Sequence, residues 1–443
     1  MPQEFVSVAS GEPAAPGTQR AITGRPAEPN PVGGRPCALY VWQSEYPWDV
    51  RVEKIARALT GGGFDTHIVA RNRQGDAVTE PLPEAVVDRL PPWSWLGRRL
   101  DAALQTGVFV NPRWMQHLTR TIRNNSPAIV IVRDLPLAPA AIWASRRFGV
   151  PVVLDMAENY PALIRDNWNV GRHRPWDVVA RNPRLARLVE RYAARHVDHV
   201  IVVVEESADR VASLGVPRER ITVVSNTPPL ERVSAAAAVR RQSSDKRLEV
   251  VYLGILEVPR GLYDAIEAIR MLRSRSIDVR LTIVGSGRDA ALFQERARAA
   301  GLTNEAVHFT GYVSREEAMH AVATSDVGLL ANHRTEQWQT SIPNKLFDYM
   351  AAGLAVLTSD TAPCARIVRE TAAGEVFRAG DAADLARALE RLTDATVRAA
   401  AGEAGRRAVV DRYNWEKDST TLLDVIKSLA RPVGAAPQPR ARV

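Results

Sequence analysis

Short aliphatic and β-branched runs alternate with longer amphipathic stretches along most of this 443-residue chain. Strands that are covered on both faces need such apolar runs, and the helix-length segments between them let consecutive strands lie parallel. The first run, residues 37–42, precedes a helical pattern with one apolar face, formed by Val52, Ile55, Ala56 and Leu59. The alternation predicts an α/β fold with a mostly parallel sheet covered by helices.

The apolar runs form two series. The first lies at 37–42, 66–69, 128–132, 152–154, 200–204 and 221–224, and the second at 250–253, 281–284, 307–309, 327–330 and 355–357. Between them, residues 227–246 contain two prolines and a polar run, which indicates a linker. The sequence therefore predicts two doubly wound, Rossmann-like lobes.

The predicted boundaries follow from these series and from composition. The lobes are expected at residues 37–228 and 245–415, with a helix at 416–431 that packs back on the first lobe. Residues 1–36 and 432–443 are rich in Pro, Gly and Ala and lack periodicity, so they are expected to be disordered tails.

The composition is that of a soluble globular protein, with 46% hydrophobic and 24% charged residues. No apolar run approaches the ~20 residues that a membrane-spanning helix needs, and the first residues lack the apolar segment of a signal peptide. Cys37 and Cys364 do not form a disulfide pattern, which favours a reducing compartment. A cytoplasmic protein is expected.

The net charge of +8 is concentrated in part within residues 165–195, which hold eight arginines, two aspartates and one glutamate. Such a surface attracts nucleic acid, anionic lipid or diphosphate-linked substrates. Nucleic acid is disfavoured as a partner because the chain lacks zinc-finger spacing and an aromatic RNA-binding pattern. A solvated basic helix is the alternative.

The most informative segment reads SIPNKLFDYMAAG, at residues 341–353. Residues three apart face the same way on a helix, so Lys345 and Asp348 are expected to serve one ligand. The ammonium suits phosphate, and the carboxylate suits sugar hydroxyls. A helix that begins near Ser341 adds free backbone N–H groups, which favour an anion. A surface ion pair on an ordinary helix is the alternative.

Two glycine turns follow strands of the second series. In LGILEVPRG, Gly254 permits a close backbone approach, and Arg260 offers a permanently charged, forked donor for a diphosphate. In VGSGRDA, Gly285 opens a turn that matches a dinucleotide-binding fingerprint by letter. NAD binding is disfavoured because this turn follows the second strand of its lobe, and because Glu305 precedes the next strand. A turn beside a phosphate, or a tight turn without a ligand, is preferred.

In the first series, polar residues follow two predicted strands. Asp155, Glu158 and Asn159 come after the run at 152–154 and are candidates to bind hydroxyls or orient an acceptor. Helix N-caps at Asp155 or Asn159 are the alternative. Asp49 follows the first run and has the same two interpretations.

These motifs together resemble the retaining glycosyltransferases of family 4, over residues 37 to 430. Residues 343–353 are similar to the PnKlfEYmAaG signature of sugar transferases in cell-surface polysaccharide assembly. The turn at Gly254 resembles the family's glycine-turn-plus-KG element, with Arg260 where lysine is usual, and the turn at Gly285 resembles its second glycine turn. FTGYV, which includes Tyr312, resembles the flGyv element that flanks the nucleotide base.

The resemblance implies a GT-B fold, in which two lobes enclose a cleft, and a metal-independent, hexosyltransferase-like enzyme. The second lobe would hold a nucleotide-diphosphate sugar and the first a hydroxyl acceptor, such as a glycan or a lipid-linked glycan. No cofactor other than this nucleotide-sugar co-substrate is implied. The donor-binding candidates are Gly254, Arg260, Gly285, Tyr312, Ser341, Lys345 and Asp348.

The resemblance also assigns roles to the charged candidates. Asp348 would bind the ribose hydroxyls, whereas Arg260 and Lys345 would neutralise the diphosphate leaving group. Asp49 and Glu158 would position acceptor or sugar hydroxyls. The catalytic candidates are therefore Asp49, Glu158, Arg260 and Lys345.

Three positions depart from the family's pattern. Ile255 stands where arginine is frequent, Thr340 where the first of two paired acids lies, and Ala157 where the first-lobe loop often has histidine. A GT-B nucleotide-sugar epimerase is one alternative, which the missing histidine disfavours. A non-catalytic scaffold that binds nucleotide sugar is the other.

One aromatic and basic cluster suggests peripheral contact with an anionic membrane, at the inner membrane face. Its members are Trp93, Trp95, Arg98, Arg99, Phe109, Trp114 and Arg120. An ordinary core helix with exposed arginines is equally compatible with this segment.

Overall fold

The computed structural model describes residues 34–47, 49–93, 97, 100–101, 104–105, 109–170, 182–239, 247–432 and 434. The predicted tails fall almost wholly outside these residues, as do Trp95, Arg98 and Arg99 of the proposed membrane cluster. The chain forms two compact units. The first comprises the described residues up to 202, 208–224 and those from 419 onward, and the second comprises 203–207 and 225–418.

The first unit is built on a sheet with eight described strands. They are β1 (Cys37–Val41), β2 (Asp65–Ala70), β3 (Thr79–Pro81), β4 (Val86–Arg89), β5 (Ile129–Arg133), β6 (Val152–Met156), β7 (His199–Val202) and β8 (Ile221–Val223). Their order is β3-β4-β2-β1-β5-β6-β7-β8, with one antiparallel pair, β3 and β4. The chain changes direction across the sheet between β1 and β5, so the loops after these strands meet at one edge.

Helices connect these strands. They are α1 (Val50–Gly61), α2 (Pro112–Asn125), α3 (Ala138–Arg146), α4 (Tyr160–Val170), α5 (Pro183–His196) and α6 (Glu205–Ser213). The predicted apolar face of α1 is confirmed, because Val52, Ile55, Ala56 and Leu59 are fully buried. Apolar residues of α2, α3 and α5 share one core cluster with the sheet.

The second unit contains a sheet with six described strands, all parallel. They are β9 (Leu248–Leu253), β10 (Val279–Val284), β11 (Val307–Gly311), β12 (Val327–Leu330), β13 (Ala355–Ser359) and β14 (Gly374–Phe377). Their order is β11-β10-β9-β12-β13-β14. The change of direction falls between β9 and β12, which brings the loops after these two strands together.

The remaining helices lie in the second half of the chain. They are α7 (Leu230–Val239), α8 (Leu262–Ser274), α9 (Ala290–Ala299), α10 (Arg315–Ala323), α11 (Lys345–Ala351), α12 (Ala362–Thr371), α13 (Ala382–Arg391), α14 (Ala395–Asp411) and α15 (Trp415–Leu429). The last part of α15 belongs to the first unit, where Leu423 packs against Gly62. No helix among the described residues is long and apolar enough to cross a membrane.

The predicted α/β fold with two mostly parallel sheets is confirmed, and each predicted run overlaps a strand. Within the linker predicted at residues 227–246, α7 occupies residues 230–239 and belongs to the second unit. Two prolines precede a helix here instead of breaking one, and the alanine-rich run that follows has the highest helix propensity.

Candidate functional site

The loops after β9 and β10 approach each other so closely that only glycine fits. A Cβ atom at Gly285, whose φ is +135°, would lie 2.0 Å from the carbonyl oxygen of Gly254. A Cβ atom at Gly287 would lie 2.2 Å from the carbonyl oxygen of Leu256. The Gly254 N–H donates to the Val284 carbonyl at 2.8 Å. The predicted glycine turns are therefore a steric requirement of this close approach.

Lys345, the first residue of α11, places its ammonium directly over Gly254. A Cβ atom at Gly254, whose φ is +145°, would lie 2.0 Å from the Lys345 Nζ. The same nitrogen lies 5.5 Å from the centroid of the Tyr252 ring. The Tyr252 hydroxyl donates to the Ile255 carbonyl at 2.8 Å, which fixes the loop beneath the ammonium. Glycine thus leaves room for a cation where β9 ends.

Arg260 lies in a short 3-10 turn between β9 and α8, with its guanidinium carbon 4.6 Å from the centroid of the Trp338 ring. The next residue, Gly261, has a φ of +71°, and a Cβ atom there would lie 1.8 Å from the Ala331 carbonyl oxygen. The loop after β9 therefore lies against the loop after β12, as the sheet order requires. Stacking on an aromatic ring holds the guanidinium while leaving its N–H donors available.

Arg260 and Lys345 lie close enough for their charges to interact. Burial, together with the charge of Arg260, lowers the pKa of Lys345 to about 7, and the Asp348 carboxylate opposes this decrease. Within the part of the chain that the structure describes, neither cation forms an ion pair with a carboxylate. Repulsion between two neighbouring cations raises the free energy of the folded protein, and a bound anion would remove this cost.

The start of α11 corrects one prediction. The helix begins at Lys345, with Asn344 at the N-cap position, and not near Ser341. Pro343 explains the difference, since proline disfavours the helical conformation in the residue before it and cannot donate a backbone hydrogen bond. Ser341 is buried in the irregular segment ahead of the helix. Lys345 and Asp348 do share one helical turn, as predicted.

Tyr312 is connected to the same edge of the sheet through the backbone. The Gly285 N–H donates to the Gly311 carbonyl at 3.0 Å, and Tyr312 follows directly with its side chain exposed. The described contacts thus bring Gly254, Gly285 and Lys345 together, with Arg260 near the ammonium. Sequence reasoning missed Tyr252 and Trp338, because an aromatic residue in a strand or loop carries no periodic signal.

The equivalent edge of the first unit holds a cluster of a different kind. Asp155, at the end of β6, accepts hydrogen bonds from Arg51 Nε and Nη2 at 2.6–3.1 Å and from the Tyr40 hydroxyl at 2.8 Å. Burial acts to raise the pKa of Asp155, but the charge of Arg51 and its hydrogen bonds hold that pKa below the ordinary value. Asp155 is therefore a buried ion-pair partner, and the helix-cap interpretation is wrong for this residue.

Asp49 and Asn159 are helix caps. The Asp49 Oδ1 accepts hydrogen bonds from the backbone N–H groups of Arg51 and Val52 at 2.9 and 3.0 Å. Arg133 Nη1 donates to the same oxygen at 3.0 Å. The Asn159 side chain accepts from a backbone N–H in the first turn of α4 at 3.3 Å. The alternative interpretation is thus confirmed for both residues, and the hydroxyl-binding role of Asp49 stays a prediction.

Asp134 is a buried acid that sequence reasoning missed. It follows β5 directly, with a left-handed φ of 58°, and its Oδ1 accepts a hydrogen bond from the Ala157 N–H at 3.2 Å. Burial raises its pKa to about 7 against the effect of Arg133, and the charges of Asp155, Glu158 and Asp49 add to the increase. Glu158 and Asp49 therefore lie close enough to Asp134 for their charges to interact. The signal that could have revealed it is a polar residue directly after an apolar strand.

The predicted membrane cluster is wrong for two of its aromatic residues. Phe109 and Trp114 are both buried in the core cluster of the first unit, Trp114 on the inner face of α2 and Phe109 just before that helix. Arg120 is exposed on the opposite face of α2. The Arg113 guanidinium carbon lies 4.4 Å from the centroid of the Trp93 ring. The alternative of a core helix with exposed arginines is confirmed for α2. The described residues contain no cluster of acidic, histidine or cysteine side chains suited to a metal ion.

Comparison with known families gives two matches along the chain. Residues 49–227 match the model described as a glycosyl transferase 4-like domain, and residues 247–395 match the model described as glycosyl transferases group 1. The two matched segments lie in the order in which the two units occur and leave a short gap near α7.

Individual proteins are similar over different lengths. A glycogen synthase of Mycobacterium tuberculosis is 26% identical over 410 residues, which cover 88% of this chain and 92% of the relative. A phosphatidyl-myo-inositol mannosyltransferase of Mycobacterium leprae is 31% identical over 182 residues, 41% of this chain and 46% of the relative. The solved structure of Anabaena HepE in complex with UDP has a TM-score of 0.67 at 14% identity and covers 89% of this chain and all of HepE.

Proposed function

The chain belongs to the family 4 glycosyltransferases of GT-B fold, and from this premise we propose that it moves a sugar from a nucleotide-diphosphate donor to a hydroxyl acceptor with retained anomeric configuration. One observation carries the proposal. Arg260 and Lys345 lie at the edge of the second sheet, where their charges interact, and among the described residues neither forms an ion pair, although the Asp348 carboxylate acts on Lys345. A diphosphate supplies the negative charge that this pair lacks.

The neighbouring groups fit the rest of a nucleotide. The glycine turns at Gly254 and Gly285 leave the backbone accessible beside the ammonium. Asp348, one turn after Lys345 on α11, would accept hydrogen bonds from the ribose hydroxyls. The exposed ring of Tyr312 would flank the base. Ser341 is buried in the adjoining segment and is retained as a donor-site candidate.

The proposed reaction needs stabilisation mainly at the leaving group. The bond between the anomeric carbon and the diphosphate oxygen breaks, and the acceptor oxygen forms a new bond on the same face of the sugar. The acceptor's proton passes to the departing diphosphate, whose negative charge Arg260 and Lys345 stabilise. In this proposal fixed cations perform the neutralisation, and no protein nucleophile is assigned.

The donor base and the acceptor are proposed from relatives. HepE was solved with UDP, which makes UDP the first nucleotide to test. The names of the glycogen synthase and the phosphatidyl-myo-inositol mannosyltransferase favour a glycan or a lipid-linked acceptor. Asp49 and Glu158, close to Asp134 in the first unit, are the proposed acceptor-positioning groups. A role in polysaccharide synthesis, a cytoplasmic location and peripheral contact with an anionic membrane complete the proposal.

A binding and turnover screen tests this function. Thermal shift with UDP, dTDP and GDP identifies the base, since a ligand at 100 times its dissociation constant stabilises a protein by about 2.7 kcal/mol. The matching nucleotide sugars are then incubated with glycan and lipid-linked acceptors, and the product's anomeric configuration is read by NMR. Release of nucleoside diphosphate with a retained product supports the proposal.

The other outcomes separate the alternatives. Conversion of one nucleotide sugar into another, without an acceptor, indicates an epimerase. Tight nucleotide binding without turnover of any donor and acceptor pair indicates a scaffold. An inverted product would contradict retention while leaving the donor site intact.

A further inference from the structure

Three helices of the first unit form one layer over the sheet. Helix α2 packs beside α3, and α3 packs beside α5. Their inner faces share a single core, to which Trp114, Ile142 and Ala193 belong. Their outer faces therefore form one continuous surface of the first unit.

This outer face is basic and has no exposed carboxylate of its own. Its exposed arginines are Arg120, Arg123, Arg147, Arg184, Arg187, Arg191 and Arg195. The single acid in the three helices, Glu190, is 2% exposed and is paired with Arg210 at 2.9 and 3.0 Å. The adjoining helix α4 contains Asp166, which lies 3.9 Å from Arg165. The arginines of the layer thus face solvent without nearby negative charge from these three helices.

Large apolar side chains stand among the arginines. Leu188 is 67% exposed, and Tyr192, one turn later on α5, is 43% exposed. Trp143 on α3 is 36% exposed, and the Arg147 guanidinium lies 3.6 Å from its ring centroid. Tryptophan, tyrosine and leucine side chains are more stable in the headgroup region of a bilayer than in water, and arginine contacts lipid phosphate there.

We propose that the outer face of α2, α3 and α5 docks on the surface of an anionic lipid bilayer. Arginines near such a surface add binding free energy in proportion to their number, and apolar side chains between them enter the boundary of the acyl chains. A phosphate backbone of nucleic acid would meet the arginines but would leave Leu188 without a partner. This proposal names the surface that makes the peripheral membrane contact of the proposed function. Lipid binding by this surface does not require sugar transfer, so the two proposals can fail separately.

Vesicle co-sedimentation of the full chain tests the surface. Wild type and R184Q/R187Q/R191Q are compared on vesicles of phosphatidylcholine alone and of phosphatidylcholine with an equal part of phosphatidylglycerol. The matched control is R270Q/R275Q/R296Q, which removes the same charge from exposed arginines of the second unit that pair with Glu267 and Glu390. A second variant, L188S/Y192S, tests the apolar contribution at high salt.

We expect wild type to bind only the anionic vesicles, and the α5 variant to bind them about tenfold more weakly or worse. The control should bind like wild type. Equal binding by the α5 variant and the control would overturn the proposal, and so would binding to duplex DNA without binding to anionic vesicles. Thermal shifts with UDP, dTDP and GDP on every variant report the fold and the donor site, so a wild type that binds vesicles but none of the three nucleotides would contradict the proposed function and leave the membrane surface standing.

Discussion

The same edge of the two sheets carries charge in opposite ways. In the first unit, Asp155 pairs with Arg51, and Asp49 pairs with Arg133, so each of these charges has a partner of opposite sign. In the second unit, Arg260 and Lys345 repel each other and lack an ion-pair partner among the described residues. The comparison separates charges that hold a fold together from charges that are arranged for a ligand.

The difference indicates which charged residues after strands are structural. A buried ion pair with good geometry needs no ligand to balance its charge, and removing one partner leaves the other buried without compensation. Neighbouring like charges lower the stability of the empty protein and strengthen binding of an opposite charge. We therefore expect substitutions in the first cluster to affect stability, and substitutions in the second to affect binding and turnover.

The largest expected effect is on stability, from Asp155→Ala. This variant leaves the buried Arg51 guanidinium without its carboxylate, which should lower the free energy of unfolding by about 3–5 kcal/mol. Urea unfolding followed by circular dichroism measures the change. Glu403→Ala removes the partner of exposed Arg406 and should cost less than about 1 kcal/mol. Equal effects of the two variants would break the comparison.

Next in size is the loss of turnover in Arg260→Gln and Lys345→Met. Each variant removes one cation from the diphosphate site, so kcat/KM should fall about 10²–10³-fold, while the thermal unfolding midpoint should not decrease. Steady-state kinetics with the donor identified in the screen measure the loss.

Arg288→Gln is the control for these two variants. Its guanidinium lies on the loop after β10 and has a carboxylate neighbour, with Nε 3.6 Å from Glu257. We expect only a small change in kcat/KM for Arg288→Gln. A loss as large as that of Arg260→Gln would indicate general charge attraction instead of a defined diphosphate site.

Gly254→Ala tests the steric part of the second cluster. The new Cβ would lie 2.0 Å from the Lys345 Nζ and would occupy a backbone conformation with a φ of +145°. The ammonium must shift, so nucleotide affinity should fall about 10- to 100-fold in isothermal titration calorimetry. Gly61→Ala is the control, because a Cβ there would meet open space. Unchanged affinity in Gly254→Ala would show that the ammonium is not needed at this position.

The smallest effect expected is a pH dependence of nucleotide affinity. Burial lowers the pKa of Lys345 to about 7, and the diphosphate binds the protonated form. As the pH rises above 7, the Lys345 ammonium of the unliganded protein loses its proton, and affinity should fall by up to about tenfold per pH unit. The Lys345→Met variant should lack this dependence between pH 7 and 8.5. A wild-type affinity that is constant over that range would contradict the lowered pKa.

The fold was largely predictable because buried parallel strands need unbroken apolar runs. The short strands β3, β4 and β14 were missed, since TEP, VVDR and GEVF include charged residues and lack such runs. Helix α7 was missed because two prolines and a polar run suggested a break. Pairing with neighbouring strands decided the three short strands, whereas the helix propensity of the alanine-rich run decided α7.

The parts of the candidate site that could be predicted are short motifs in the loops after strands and at the start of α11. Gly254, Gly285 and Lys345 carried a sequence signal, and the structure places them together. The ring of Trp338, which stacks with Arg260, lies 78 positions later in the chain and depends on the sheet order for its contact. The pairing of Asp155 with Arg51 spans 104 positions and had no local signal either.

The central claim is that Arg260 and Lys345 together bind a diphosphate. The most direct measurement is the ratio of the affinities for UDP and for uridine, by calorimetry, in wild type and in the R260Q/K345M double variant, with the base exchanged if the screen selects another nucleotide. The account predicts a large preference for UDP in wild type that almost disappears in the double variant, while uridine binds both equally. A preference of the same size in both proteins would contradict it.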